Sequence, residues 1–233
     1  MGKLLVFGNI FNVEREGIDF PCYKNNPKLN IIDWILLLII CSLSYFKPLD
    51  LPIPLIVCFL SLVVALIITR LDTSLFIKKL LPEDIPLIIV MSILSIVFSE
   101  LLCWILVSMG LMSDEIGLYS SGVLVDIINL VVYLFGEELF KFCIFIFGLA
   151  LIYKLTRNRK ASIVFAAFLT MVLFGTYHYY PCSEHLILFI IMKGFVSIFD
   201  VLSYIKTKNI FVSYLTHFLF DLYYFIPLWM NII

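Results

Sequence analysis

Seven times along its 233 residues the chain runs through apolar side chains with almost no charge: at 31–46, 51–69, 85–112, 123–155, 161–180, 186–204 and 210–229. A helix needs about 20 mostly apolar residues to cross the hydrocarbon core of a bilayer. The runs therefore predict an all-α fold: a polytopic transmembrane bundle of about seven to eight helices. Composition agrees, with 63% hydrophobic and only 14% charged residues. Soluble domains lie nearer half and a quarter, so an ordinary soluble helical bundle is excluded.

Two runs invite closer reading. The first closes at "KPLDLPIP", whose prolines predict a tight turn. The fourth, 123–155, is too long for a straight crossing, because a helix of that length spans roughly 50 Å. Either it is strongly tilted, or Gly136 breaks it into a short piece and a full helix.

The placement of charge sets an orientation. Lys and Arg collect on the cytoplasmic side of membrane proteins. With the N-terminus inside, 13 of the 16 basic residues fall on inner segments, and Lys47 alone falls outside. Lys141 and Lys193 lie within the runs, while Asp114, Glu115 and Glu184 occupy outer turns. This pattern predicts a multi-pass protein of the cell membrane with its N-terminus in the cytoplasm and an odd number of crossings. Residues 1–30 read as a short cytosolic segment and 31–233 as the transmembrane domain. No cleavable signal peptide is visible, since "LLVF" is too short for an apolar signal core.

Other classes of function find no support. The net charge of −1 offers no attraction to nucleic acid. The six cysteines form no C-x-x-C pair and read as small buried hydrophobes rather than as a disulfide set or zinc site. No internal repeat of the transporter kind is visible.

Ionisable residues inside the apolar runs carry the functional signal. Each costs at least about 2.5–3.5 kcal/mol to insert, so it is a functional candidate by default. Glu137, Glu138 and Lys141 lie in "LFGEELFKF", His178 in "LFGTYHYY", and His217 with Asp221 in "THFLFDL". Glu137 and Glu138 point about 100° apart on a helix. Lys141 is i+4 from one and i+3 from the other, so it can pair with either. One carboxylate is then left over, free to act as a general base. The plain alternative is an intramembrane ion pair that only pins helices. His217 and Asp221 are four apart and share a helix face.

Lipid rejects such groups, so carboxylates and histidines on three segments can converge only toward a bundle interior. A glutamate beside a histidine can hold and deprotonate a water, and a second histidine can steady the oxyanion of an attacked amide. Two histidines with carboxylates would equally suit zinc. Glu100, Asp126, Lys193 and Asp200 read as helix-pairing or cavity-lining groups.

These three motifs in this order resemble the CPBP intramembrane proteases, the CAAX-endopeptidase and Abi proteins. The family pattern is E-E-x-x-x-R, then F-x-x-x-H, then H-x-x-x-N or H-x-x-x-D. Glu137-Glu138, Phe174 with His178, and His217 with Asp221 match it, and the resemblance covers about residues 120–225. The pattern's arginine falls on Phe142. Lys141 instead gives the E-E-x-x-K of the PrsW-type proteases, whose second motif ends in glutamate where this chain has His178. The one-residue shift moves the cation from the Glu138 row toward the Glu137 row.

The resemblance implies an integral-membrane endopeptidase acting on a peptide or membrane-protein substrate in or near the bilayer. Glu137 would activate water, with His178 positioning it. His217 and Asp221 would stabilise the oxyanion, and Glu138, Lys141 and Phe174 would support geometry and charge. It implies no metal; a zinc centre is the alternative. The missing arginine motivates a second expectation, a non-catalytic protein of the same fold such as a bacteriocin-immunity or scaffold protein. Substrate identity and oligomeric state are left open.

Overall fold

The computed structural model describes residues 14–15, 17–23, 26–45, 53–112, 123–179 and 185–230. The turns carrying Lys47, Asp114, Glu115, Cys182 and Glu184 lie outside them. Every element among the described residues is helical: α1 (Ile31–Ser42), α2 (Ile53–Ile68), α3 (Asp84–Ser108), α4 (Val123–Thr156), α5 (Arg159–His178), α6 (Leu186–Phe189), α7 (Ile198–Thr207) and α8 (Ile210–Trp229). A 3-10 turn at Thr73–Leu75 precedes α3, and a π-helical stretch, Ile190–Phe195, joins α6 toward α7.

Local chemistry sets several boundaries. Asn30 starts α1 with a capping box: its side chain accepts from the Asp33 amide at 3.0 Å, and its own amide donates to Asp33 at 2.7 Å. Asn158 caps α5 by accepting from the Ala161 amide at 3.1 Å. Helix α7 ends where Lys208 turns left-handed, with φ of 50°.

Five stretches are long and apolar enough to cross a membrane: Asp84–Ser108, Asp126–Thr156, Arg159–His178, Leu186–Thr207 and Ile210–Pro227. Ile31–Ser42 and Leu55–Ile68 are shorter apolar helices. Side-chain placement fits a lipid surround. On α3 the outward stripe is Ile85, Ile89, Ile93, Val97, Leu101 and Trp104, all exposed. Its inward stripe is Ser92, Ser95 and Ser99, all buried. Small polar residues let helices approach closely, and Ser92 Oγ lies 3.0 Å from the Thr216 carbonyl of α8.

Helix α4 is the axis of the fold and packs against α1, α2, α5 and α8. Phe140, Phe142, Phe145 and Leu149 are buried along it. The helix is continuous from Val123 to Thr156, so Gly136 does not break it. The glycine serves packing instead: a Cβ there would lie 1.7 Å from Cys58 Sγ on α2. A glycine inside a helix costs only about 1 kcal/mol relative to alanine, too little to interrupt a helix buried on several sides.

Residues ahead of α1 join the same core. Phe20, Cys22 and Tyr23 are buried in it, and Glu14 forms ion pairs with Arg159 and Lys208 at 2.6 and 2.9 Å. Cys22, Cys41, Cys58, Cys103 and Cys143 are free thiols, and Cys22 Sγ contacts the Ile68 carbonyl at 3.6 Å.

Candidate functional site

Glu137 and Glu138 diverge from adjacent positions on α4. Glu138 turns into the protein, where its side chain is 2% exposed. Glu137 lines a cavity of about 520 Å³ together with Phe174, His178, Asp200, His217 and Asp221. That volume is in the range of small-ligand sites. The cavity thus gathers His178 from the last turn of α5, and His217 and Asp221 from α8, around the outward glutamate.

The spacing within this group is close but loose. Glu137 Oε1 is 3.5 Å from His178 Nε2, and Glu137 Oε2 is 4.0 Å from His217 Nε2. His217 Nε2 is 3.9 Å from Asp221 Oδ2. These separations exceed a good N–H···O bond and fall within the reach of one bridging water. His178 Nδ1 lies 3.0 Å from the Phe174 carbonyl. A carbonyl accepts, so Nδ1 carries the hydrogen, and in the neutral imidazole Nε2 then presents its lone pair toward Glu137. A water touching both groups finds two acceptors, one for each of its hydrogens. Phe174 holds the rings apart: it meets His178 edge-on at 4.6 Å and His217 at 6.2 Å.

Behind Glu137 lies a second, drier layer. Lys141 pairs with Glu138 one turn before it and with Asp200 of α7. Its ammonium also lies 3.4 Å from His217 Nδ1 and 4.5 Å from the Phe174 ring centre. His217 Nδ1 is 2.9 Å from Glu138 Oε1, and Ser213 Oγ is 2.5 Å from Glu138 Oε2. The cation therefore serves Glu138 and not the Glu137 row, against the reading from its position in the sequence. A lysine stem is long enough to lean back one turn, and Asp200 draws it inward. Phe142, at the place of the motif's arginine, is buried between the rings of Phe76 and Tyr204, at 5.3 and 5.8 Å.

Glu138, Asp200 and His217 bring ligand atoms within 4.8 Å of one another, the grouping of a small metal site. The Lys141 ammonium is in contact with all three of these side chains, so a protein cation already lies where an ion would sit.

Asp200 and Ser213 are the site residues that motif reading did not single out. Ser213 could have been found, because it is i−4 from His217 and shares its face. Asp200 stood only as one acid in an apolar run. Its wall position depends on the π-helical stretch. Residues four apart in an α-helix drift about 40° per step; the wider π turn offsets that drift, and Leu188, Met192, Val196 and Asp200 all line the cavity. Two glycines seat this stretch on α5: a Cβ on Gly194 would lie 2.2 Å from the Met171 carbonyl oxygen, and one on Gly175 would lie 2.5 Å from the Ile190 Cα.

The remaining intramembrane charges separate into two kinds. Asp126 accepts from Trp229 Nε1 at 3.0 Å and pairs α4 with α8. Glu100 and Lys193 line the cavity. Compared with models of known families, with characterised proteins and with solved structures, the chain matches none.

Proposed function

We propose that this chain is a multi-pass membrane endopeptidase, crossing the bilayer seven times with its N-terminus in the cytoplasm, in which Glu137 activates water for attack on a peptide bond. The observation that carries the reading is the separation of two adjacent glutamates. Glu138 is held by Lys141, whereas Glu137 faces His178 and His217 across a cavity wall. A carboxylate with no lysine or arginine paired to it among the described residues, set within one water of the neutral His178 ring, is placed for general-base chemistry.

In the proposed cycle a water binds between Glu137 and His178. Glu137 takes a proton as the water oxygen attacks the substrate carbonyl. His217 Nε2, with Asp221 beside it, faces the oxyanion that forms. The proton on Glu137 then passes to the leaving amine. No metal takes part in this cycle, because the Lys141 ammonium already lies among Glu138, Asp200 and His217, where an ion would have to sit. The resemblance to CPBP proteases agrees with these roles, and the apolar cavity walls fit a peptide or membrane-protein segment.

Phe142 favours a second reading, a non-catalytic protein of the same architecture. Co-reconstitution with membrane-anchored reporter peptides separates the two. The endopeptidase yields fragments that disappear in Glu137→Ala and in His178→Ala. Partner binding or protection that survives both substitutions, with no fragments from the unmodified protein, identifies the non-catalytic form.

A further inference from the structure

The inner layer of the site has an unbalanced charge count. Glu138, Lys141 and Asp200 have side chains 2%, 4% and 5% exposed. Two carboxylates and one ammonium leave one negative charge without a partner in a layer that is almost fully buried. Buried charge persists only when paired. His217, 11% exposed, is the group in contact with this layer that can supply the missing positive charge. Its Nδ1 is 2.9 Å from Glu138 Oε1, and its Nε2 is flanked by Glu137 at 4.0 Å and Asp221 at 3.9 Å. Among the described residues the cation facing it is Lys141, at 3.4 Å from Nδ1.

We propose that Asp200 is a positioning residue that acts through Lys141: by taking one side of the ammonium it leaves Glu138 to bind Nδ1–H of His217, so that the ring is held as imidazolium with Nε2–H aimed into the cavity. Without Asp200, Glu138 and Lys141 balance each other, and His217 has no buried charge to answer. With Asp200, four groups on three helices form a neutral set whose outward end is a hydrogen-bond donor. The use of that donor, to meet an oxyanion, rests on the endopeptidase reading; the charge state does not.

The chain has three histidines, His178, His185 and His217. Nitrogen-15 spectra of histidine-labelled protein in detergent near neutral pH can therefore be assigned with a His217→Gln control. In the unmodified protein both ring nitrogens of His217 should carry hydrogen. In Asp200→Asn one of them should lose it. Asp200→Glu should keep both, and so should the double variant Lys141→Met with Asp200→Leu, which removes the pair together and leaves Glu138 facing His217 alone. A neutral His217 in the unmodified protein, or an Asp200→Asn spectrum unchanged from it, overturns the proposal. If Asp200→Asn does not fold, the unmodified protein and the double variant decide it. The readout needs no substrate. A chain that gives these spectra and cuts nothing loses the endopeptidase reading alone, and a chain that cuts peptide with a neutral His217 loses the Asp200 assignment alone.

Discussion

Glu137 on α4 and His178 at the end of α5 face each other across 3.5 Å at the wall of a cavity, while the neighbouring Glu138 is held in the protein by Lys141. Adjacent carboxylates on one helix thus have unlike surroundings. One is tied up in buried contacts, and the other borders the cavity. That division leads to unequal consequences when each is changed.

Glu137→Gln should leave thermal stability in detergent nearly unchanged, because the side chain borders the cavity and has no lysine partner to strand. Reporter cleavage should fall by about 10²–10⁴-fold, the usual contribution of a positioned general base. Melting and cleavage measured on the same preparation check both halves of this expectation.

Lys141→Met should behave in the opposite way. It removes the ammonium that sits between Glu138 and Asp200. Breaking a buried pair from one side costs about 3–5 kcal/mol. A large drop in melting temperature is expected, and the further change Asp200→Leu should recover part of it. Denaturation of the single and double variants gives the coupling between the two positions.

Gly136→Ala should destabilise through the α2–α4 contact. The new methyl would fall 1.7 Å from Cys58 Sγ, so one helix must shift. Overpacking of this kind costs about 1–3 kcal/mol. Adding Cys58→Gly should restore stability, whereas a glycine that served as a hinge would not be rescued by a change on α2.

Gly194→Ala should be less forgiving. Its neighbour is the Met171 carbonyl oxygen, 2.2 Å from the added Cβ, and backbone cannot swing aside. The π-helical stretch would separate from α5 and move Asp200 off the cavity wall. Lower melting together with lost cleavage is expected, and no single side-chain truncation on α5 should rescue it.

Outside the spans, Lys78 makes stability depend on alkaline pH. Burial, together with the nearby charges of Lys208 and Arg15, lowers its ammonium from 10.5 to about 8. Between those values the unfolded chain binds more protons than the folded one, so this group adds stability as pH rises and lowers it below about 8. Melting temperatures of the unmodified protein relative to Lys78→Met should therefore rise from about pH 8 toward pH 10. A flat difference would remove this assignment.

Much of the architecture was legible because hydrophobic run length is a strong local signal. The seven apolar runs each coincide with helix. Three facts needed the third dimension. Gly136 stood as a break, the alternative to a strong tilt, because its reason, Cys58, lies on another helix. Lys141 read toward Glu137 because helix geometry alone ignores Asp200, which is 59 residues away. Asp200 itself was not singled out because a single acid in an apolar run has no local partner, and the π turn that places it has no simple sequence pattern. The convergence of Glu137, His178 and His217 was legible, since groups that lipid rejects have one interior to share.

Oxygen-18 labelling follows into the products the water that Glu137 is proposed to activate. Purified protein in liposomes is incubated with a library of apolar peptides in labelled water, and the fragments are weighed by mass spectrometry. Fragments should carry one labelled oxygen in the new C-terminal carboxyl, and none should come from Glu137→Gln. Fragments formed equally well by Glu137→Gln, or no labelled fragment from the folded unmodified protein, would contradict it.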